Sequence, residues 1–169
     1  RKQSPVDVLV QGVRFRPQPH CNLSDKRLLC TPDLLDGVER DFFADKLSFG
    51  SVLLDVGANI GGYGLLLAMA RPDIKVLGVE ADPRLAHRLN QHIEFNCLGG
   101  RCSTIEAAAS PDFGKVRLYL DSVNQGCNSL VNESARSLND EEGSVEVDGL
   151  PLQEIIKRAG LNKVDLLKM

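Results

Sequence analysis

The stretch VLLDVGANIGGYG, Val52 to Gly64, constrains the fold more than any other part of the chain. An aliphatic run ends on an acid, Asp55, and a glycine-rich turn follows at once, with GLLLAMA directly behind it. A short unbroken apolar run is what a strand covered on both faces requires. Glycines then allow the backbone to reverse tightly, and the apolar residues that follow have helical length. A strand–turn–helix unit of this kind belongs in an open parallel sheet, where ligands sit beyond the carboxyl ends of the strands.

The remaining segments extend that unit. IKVLGVE reads as a second buried strand, and Asp82-Pro83 starts a helix, with Asp82 as cap and Pro83 at the first helical position. Leu85, Leu89 and Ile93 form the inner stripe of that helix, and Gly99-Gly100 ends it. CSTIEAAAS is a third strand. GKVRLYL alternates Val116, Leu118 and Leu120 inward with Lys115, Arg117 and Tyr119 outward, the pattern of an antiparallel edge strand that SVEVDGL can pair with. PLQEIIKRAG is a short helix, with Asp148 placed to cap it, and KVDLLKM is a further buried strand. Alternation of strands and helices at this spacing implies an α/β fold, a Rossmann-like three-layer sandwich with a mostly parallel central sheet.

Upstream, VDVLVQGVRFRP fits a strand pair within an otherwise irregular segment through residue 31. TPDLLDGVERDFFADKL reads as a helix with Leu34, Val38 and Phe42 on its inner face and Asp33 and Asp36 favouring its N-terminal end. The expected organisation is a 1–50 extension, its helix packing on the core, and a 51–169 ligand-binding domain that stops after its fourth parallel strand, leaving the fold C-terminally incomplete.

Hydrophobic residues make up 43% of the 169 residues and charged residues 25%, an ordinary globular balance. The net charge of −3 argues against non-specific nucleic-acid binding, which uses a basic surface. No apolar stretch reaches the roughly 20 residues of a membrane span. Arg1 to Pro5 do not lead into a signal-peptide apolar region, so the expected location is cytoplasmic. The five cysteines, Cys21, Cys30, Cys97, Cys102 and Cys127, form no C-x-x-C pair, so neither a disulfide framework nor a metal site is indicated.

The turn GANIGG lies one substitution from the dinucleotide fingerprint G-x-G-x-x-G, and Glu80 lies about 20 residues on, where a ribose-binding acid belongs. A nicotinamide-dependent oxidoreductase is therefore one reading. Asp55 argues against it: a carboxylate about 4 Å from a pyrophosphate costs on the order of 4 kcal/mol at an effective dielectric near 20. S-adenosylmethionine (SAM) reverses that logic, because it carries an ammonium and a sulfonium and no phosphate. Asp55 could attract the ammonium, the glycines would let the backbone approach, the helix N-terminus could take the methionine carboxylate, and Glu80 would hold the two ribose hydroxyls.

VLLDVGANIGGYGLLLA, VLGVEADP, IEAAAS followed by GKVRLYL, and VDGLPLQEII leading to VDLLKM together resemble the FkbM family of SAM-dependent methyltransferases, from about Ser51 to Met169. The resemblance implies a class I methyltransferase sheet, SAM as methyl donor, and usually a hydroxyl on a small molecule or sugar as acceptor; the charge and hydropathy above point to neither nucleic acid nor membrane as partner. By position it implies that Asp55, Gly57, Ala58, Asn59 and Gly61 line the methionine end, that Glu80 binds the ribose, that Ala81 lies beside the adenine, and that Glu106 and Ala107 edge the ring. The acidic D-x-E-G segment that follows the fourth strand in the family would begin past Met169, which keeps a noncatalytic SAM-fold module as a further alternative.

No general base stands out. His20 lies in the irregular segment, and His87 and His92 fall on different sides of one helix, all three read as surface or structural residues. Lys168, near the right strand end, reads as a snorkelling or ion-paired lysine, and Tyr63 as a core aromatic or a lid on the cofactor. In the polar loop Asp121 to Ser134, Asn128 and Ser129 are candidates to reach cofactor or acceptor.

Overall fold

A computed structural model describes residues 6–32, 35–121, 123–131 and 143–169. Four parallel strands form the central sheet in the order β5-β4-β3-β9: β3 (Val52–Val56), β4 (Lys75–Glu80), β5 (Cys102–Glu106) and β9 (Leu166–Lys168). The order reverses between β3 and β9, so the chain has its switch point at the end of β3, beside the glycine turn. Val52 to Asp55 and Val76 to Glu80 are all buried, as continuous apolar strands covered on both faces require. β9 is only partly covered, and Leu167 is exposed.

α3 (Gly62–Ala70) and α4 (Pro83–Phe95) pack on one face of the sheet, and α5 (Leu152–Arg158) on the other. Asp82 caps α4 by accepting from Arg84 N, and Leu85, Leu89 and Ile93 are buried as the sequence pattern indicates. A second sheet, β6 (Ala108–Ala109), β8 (Ser144–Leu150) and β7 (Gly114–Tyr119), lies beyond Ala107. β7 is its antiparallel edge strand, with Leu118 buried opposite Val145. The segment expected as one third strand is thus two, β5 and β6, in different sheets. Asp148 does not cap α5: β8 runs on to Leu150, Pro151 takes the N-cap position, and Asp148 pairs with Lys115 across the strands at 2.7 Å.

The N-terminal segment differs most from expectation. The strand pair is present as β1 (Val8–Val10) and β2 (Val13–Phe15). The irregular stretch after it contains a helix, α1 (Leu23–Cys30), capped by Asn22. The helix expected over 31–47 begins only at Gly37 and ends at Lys46 as α2, while Asp33 and Leu34 fall outside the described residues. Val38 and Phe42 face outward, 89% and 56% exposed. Arg40 is buried instead and donates to Leu35 O and Gln11 Oε1, with Ala44 and Leu47 packing inward. Asp36 sits in the left-handed region and makes no side-chain cap bond.

Val10, Val13, Phe15, Leu28 and Leu35 join the same core as Leu53, Ile60, Leu66 and Leu89. Arg14 N donates to Asn96 Oδ1, and Arg16 N donates to His92 Nε2. Because Nε2 accepts, the His92 proton is on Nδ1 and is given to Ile60 O at 2.9 Å. Burial pushes the His92 pKa below its ordinary value. The folded state therefore prefers neutral His92, and its contribution is present above the unfolded pKa near 6.5 and is lost as pH falls below it. Urea titrations at pH 7.5 and pH 5 should show the stability gap between wild type and His92→Gln narrowing at the lower pH. A gap that stays constant would refute this role.

Candidate cofactor site

The glycine turn is held by β4. Gly57 N and Ala58 N both donate to Val79 O, at 2.9 and 3.0 Å. Asn59 N donates to Glu80 Oε2 at 2.7 Å, Ile60 N to Asn59 Oδ1, and Gly61 N to Ala58 O. Gly57, Asn59 and Gly61 all have positive φ, with Asn59 at 54°. Asparagine is among the non-glycine residues that adopt this region most readily. Every N–H from Gly57 to Gly61 thus has a protein acceptor.

Glu80 ends β4 and is 7% exposed. Its Oε1 accepts from Asp82 N at 2.9 Å while Oε2 takes Asn59 N. Burial raises its pKa, and these backbone donors oppose the rise by favouring the charged form. Each oxygen keeps a further lone pair, so the carboxylate can still accept from two hydroxyls.

Beside Glu80 lies an open cleft of about 240 Å³. Gly57, Asn59, Glu80, Ala81 and Ala107 line it together with Val56, Val79, Leu85, Leu118 and Leu130. Its walls are mostly apolar, which suits a flat ring, and Glu80 is the one titratable side chain among the described lining residues. Gln125, Gly126 and Asn128 close one side. Of the polar loop, Asn128 therefore reaches the cleft and Ser129 does not line it. Asn128 Nδ2 donates to Asp82 Oδ2 at 2.8 Å, and Ser129 pairs with Tyr119. Ser122 and residues 132–134 of that loop lie outside the described residues.

Asp55, Ala58, Gly61 and Glu106 do not line this cleft. Asp55 is 1% exposed and packs beneath α3, where a Cβ on Gly64 would come within 3.2 Å of Oδ2. Lys168, its neighbour in register on β9, places Nζ 3.1 Å from Asp55 Oδ1. Burial raises the Asp55 pKa, and Lys168 counters it. The ion-paired reading of Lys168 holds. Ala58 and Gly61 are structural members of the turn, and the Glu106 side chain is exposed. Tyr63 is buried and donates to Glu39 Oε1 at 3.1 Å, with Lys168 Nζ 5.8 Å from its ring centre. Burial and Glu39 push its pKa far above the ordinary tyrosine value. His20 and His87 are exposed, and His92 is committed to the core.

The model of the FkbM methyltransferase domain matches residues 55–169. The chain belongs to the FkbM methyltransferase family. Its parallel β5-β4-β3-β9 sheet, flanked by helices, is the core of the α/β domain that carries this match. No curated protein matches this FkbM chain. Among solved structures it is similar to P. horikoshii TYW2 in complex with MeSAdo, at 20% identity over 60% of this chain and 35% of that one, with a TM-score of 0.47. It is also similar to the precorrin-6y C5,15-methyltransferase of Geobacter metallireducens, at 16% identity over 40% and 36% of the two chains and a TM-score of 0.34. The C-terminal domain of the Rhodobacter capsulatus precorrin-6Y C5,15-methyltransferase matches at 18% identity over 43% and 39%, with a TM-score of 0.37. This FkbM chain spans little more than a third of the length of each. Among its described residues no helix is long and apolar enough to cross a membrane.

Two structural contributors escape a sequence reading: Asn22, whose Nδ2 donates to Asn59 Oδ1 at 2.8 Å, and the 3₁₀ turn Gln125–Cys127, whose Gln125 N donates to Cys21 O. Both connect residues far apart in sequence. The only local signal is the Asn22-Leu23-Ser24 start of α1, a recognisable N-cap pattern.

Proposed function

We propose that this chain binds SAM in the cleft beside Glu80 and belongs to a protein that methylates a hydroxyl on a small molecule or sugar. The observation that carries the proposal is Glu80: a buried carboxylate at a strand end, fixed by two backbone N–H groups, with lone pairs free over an apolar cleft. That is the chemistry a ribose diol requires. Ala81 and Ala107 leave room at the cleft wall for the adenine, and Gly57 and Asn59 lie toward the methionine end. The Asp55–Lys168 pair lies next to the turn and gives that end a buried acid already neutralised by a lysine.

Bound SAM supplies an electrophilic methyl group on a sulfonium. What the described residues contribute is placement: Glu80 orients the ribose, the turn fixes the backbone beside it, and the apolar wall excludes water. Among the described residues that line the cleft only Glu80 titrates, so alignment is the contribution these residues make. The dinucleotide alternative is disfavoured by the turn itself. The N–H groups from Gly57 to Gly61 are taken by protein acceptors, so the turn itself offers a pyrophosphate no free amides. The net charge of −3 argues against non-specific binding of a nucleic-acid acceptor.

Calorimetric titration of SAM, S-adenosylhomocysteine and NAD tests the reading. The two adenosyl compounds should bind in the micromolar range, and NAD should not. Glu80→Ala should weaken S-adenosylhomocysteine about ten- to a hundredfold, as expected for losing charged hydrogen bonds. Binding of NAD alone would overturn it.

A further inference from the structure

The family match begins at Asp55, yet a residue upstream of it, Asn22, is bonded to the turn that lines the cleft. Asn22 is 1% exposed and bridges two elements. Its Oδ1 accepts from Ser24 N at 2.9 Å, capping α1, and its Nδ2 donates to Asn59 Oδ1 at 2.8 Å. Both amide orientations are fixed independently. Ser24 N–H requires an oxygen on Asn22, and Ile60 N–H requires an oxygen on Asn59, so Nδ2 of Asn22 must face Asn59. Asn59 holds the left-handed conformation at φ 54°, and from it the backbone N–H reaches Glu80 Oε2.

The surroundings lock the same point. A Cβ on Gly126 would come within 3.0 Å of Asn59 Nδ2, so the 125–127 turn rests directly on Asn59. That turn is bonded to the start of α1 through Gln125 N to Cys21 O and Leu23 N to Asn124 Oδ1, both at 2.9 Å. α1 itself is clamped to α4 by the buried Asp25–Arg88 ion pair at 2.9 Å.

We propose that Asn22 is a positioning residue of the cofactor site: it holds the Asn59 side chain, and through the Asn59 N–H it sets the orientation of Glu80. The proposal rests on the SAM reading above for its consequence in binding, but not for its geometry. The upstream segment is on this account a working part of the site.

Asn22→Ser is the informative variant. Serine retains the N-cap for Ser24 N–H but is too short to reach Asn59, so α1 is kept while the bridge is lost. Two readouts follow. The first needs no cofactor: the Glu80 carboxyl is titrated by ¹³C NMR. Loosening the Asn59 N–H bond removes a donor that favours the charged form, so the Glu80 pKa should rise in Asn22→Ser. The second is S-adenosylhomocysteine affinity, which should fall about tenfold. In a Glu80→Ala background the same substitution should cause almost no additional loss, because Asn22 acts through Glu80. Asn22→Gln, which keeps an amide donor, should recover part of the affinity. An unchanged Glu80 titration, or losses that simply add to those of Glu80→Ala, would overturn the proposal. If the wild type binds no adenosyl compound, the SAM reading fails, and the Glu80 titration still decides the role of Asn22.

Discussion

Arg88→Ala is expected to lower the unfolding free energy by about 3–5 kcal/mol, the range for breaking a buried ion pair from one side. Arg88 Nη2 lies 2.9 Å from Asp25 Oδ1, and the two side chains are 8% and 0% exposed. The same guanidinium donates to Arg16 O. Removing it strands a carboxylate with no solvent to replace the partner and frees a carbonyl of the segment after β2. The size of the loss comes from that stranded charge, not from the net value of the pair, so Asp25→Leu combined with Arg88→Met should recover most of it. Urea unfolding followed by circular dichroism, with the m-value checked for constancy, measures both. A single-variant loss under 1 kcal/mol would mean that the interior around α1 admits water.

The second large effect is expected at Gly61. Its φ of +87° disfavours any side chain, and a Cβ there would meet Leu89 Cδ1 at 2.5 Å and Leu65 Cδ1 at 2.8 Å. Leucine ends can usually move aside, but Leu89 cannot. Its other methyl, Cδ2, lies 2.7 Å from where a Cβ on Gly78 would sit, so the side chain is wedged between two glycines. Gly61→Ala should therefore cost about 2–5 kcal/mol, combining left-handed strain with overpacking of a close-packed core. Leu89→Ala in the same chain should relieve its share of the overpacking and leave the contact with Leu65 and the backbone strain. Thermal or urea unfolding of the two single variants and the double separates the parts. If Gly61→Ala alone is as stable as wild type, the wedge does not exist.

The residues that could be read from sequence are those whose pattern is local. The β3 run, the turn behind it and the distance from there to Glu80 are properties of one strand–helix–strand unit, and hydrophobic continuity with glycine spacing encodes them. The α4 stripe at Leu85, Leu89 and Ile93 is legible for the same reason. α1 was not, because Asp25, Lys26 and Arg27 interrupt any apolar stripe and its buried face consists of Leu28 and the paired Asp25. α2 misled more directly. Val38 and Phe42 have the spacing of an inner face, but the helix turns a buried arginine inward and leaves them in solvent. Asp148 has a cap's position ahead of a helix, yet β8 continues past that point and cross-strand pairing with Lys115 claims the side chain. In the site, Glu80 and the turn follow from spacing, whereas the Asn22 contact spans 37 residues and has no periodic signature. Asp55 falls in the β3 run itself, but its lysine partner depends on the register of β9, which only the assembled sheet fixes.

The shared core of the N-terminal segment and the parallel sheet bears on how this protein could be divided or exchanged. Similarity to the family begins at Asp55, and a chimera designed from alignment alone would cut near that point. The cut would strip Phe15 from the edge of His92, at 5.2 Å between ring centres, and Leu28 and Leu35 from the cluster around Ile60 and Leu66. It would pass through the middle of a hydrophobic interior instead of along a seam. What evolution has kept recognisable and what the chain must keep together in order to fold are different lengths of sequence, and the second is the longer.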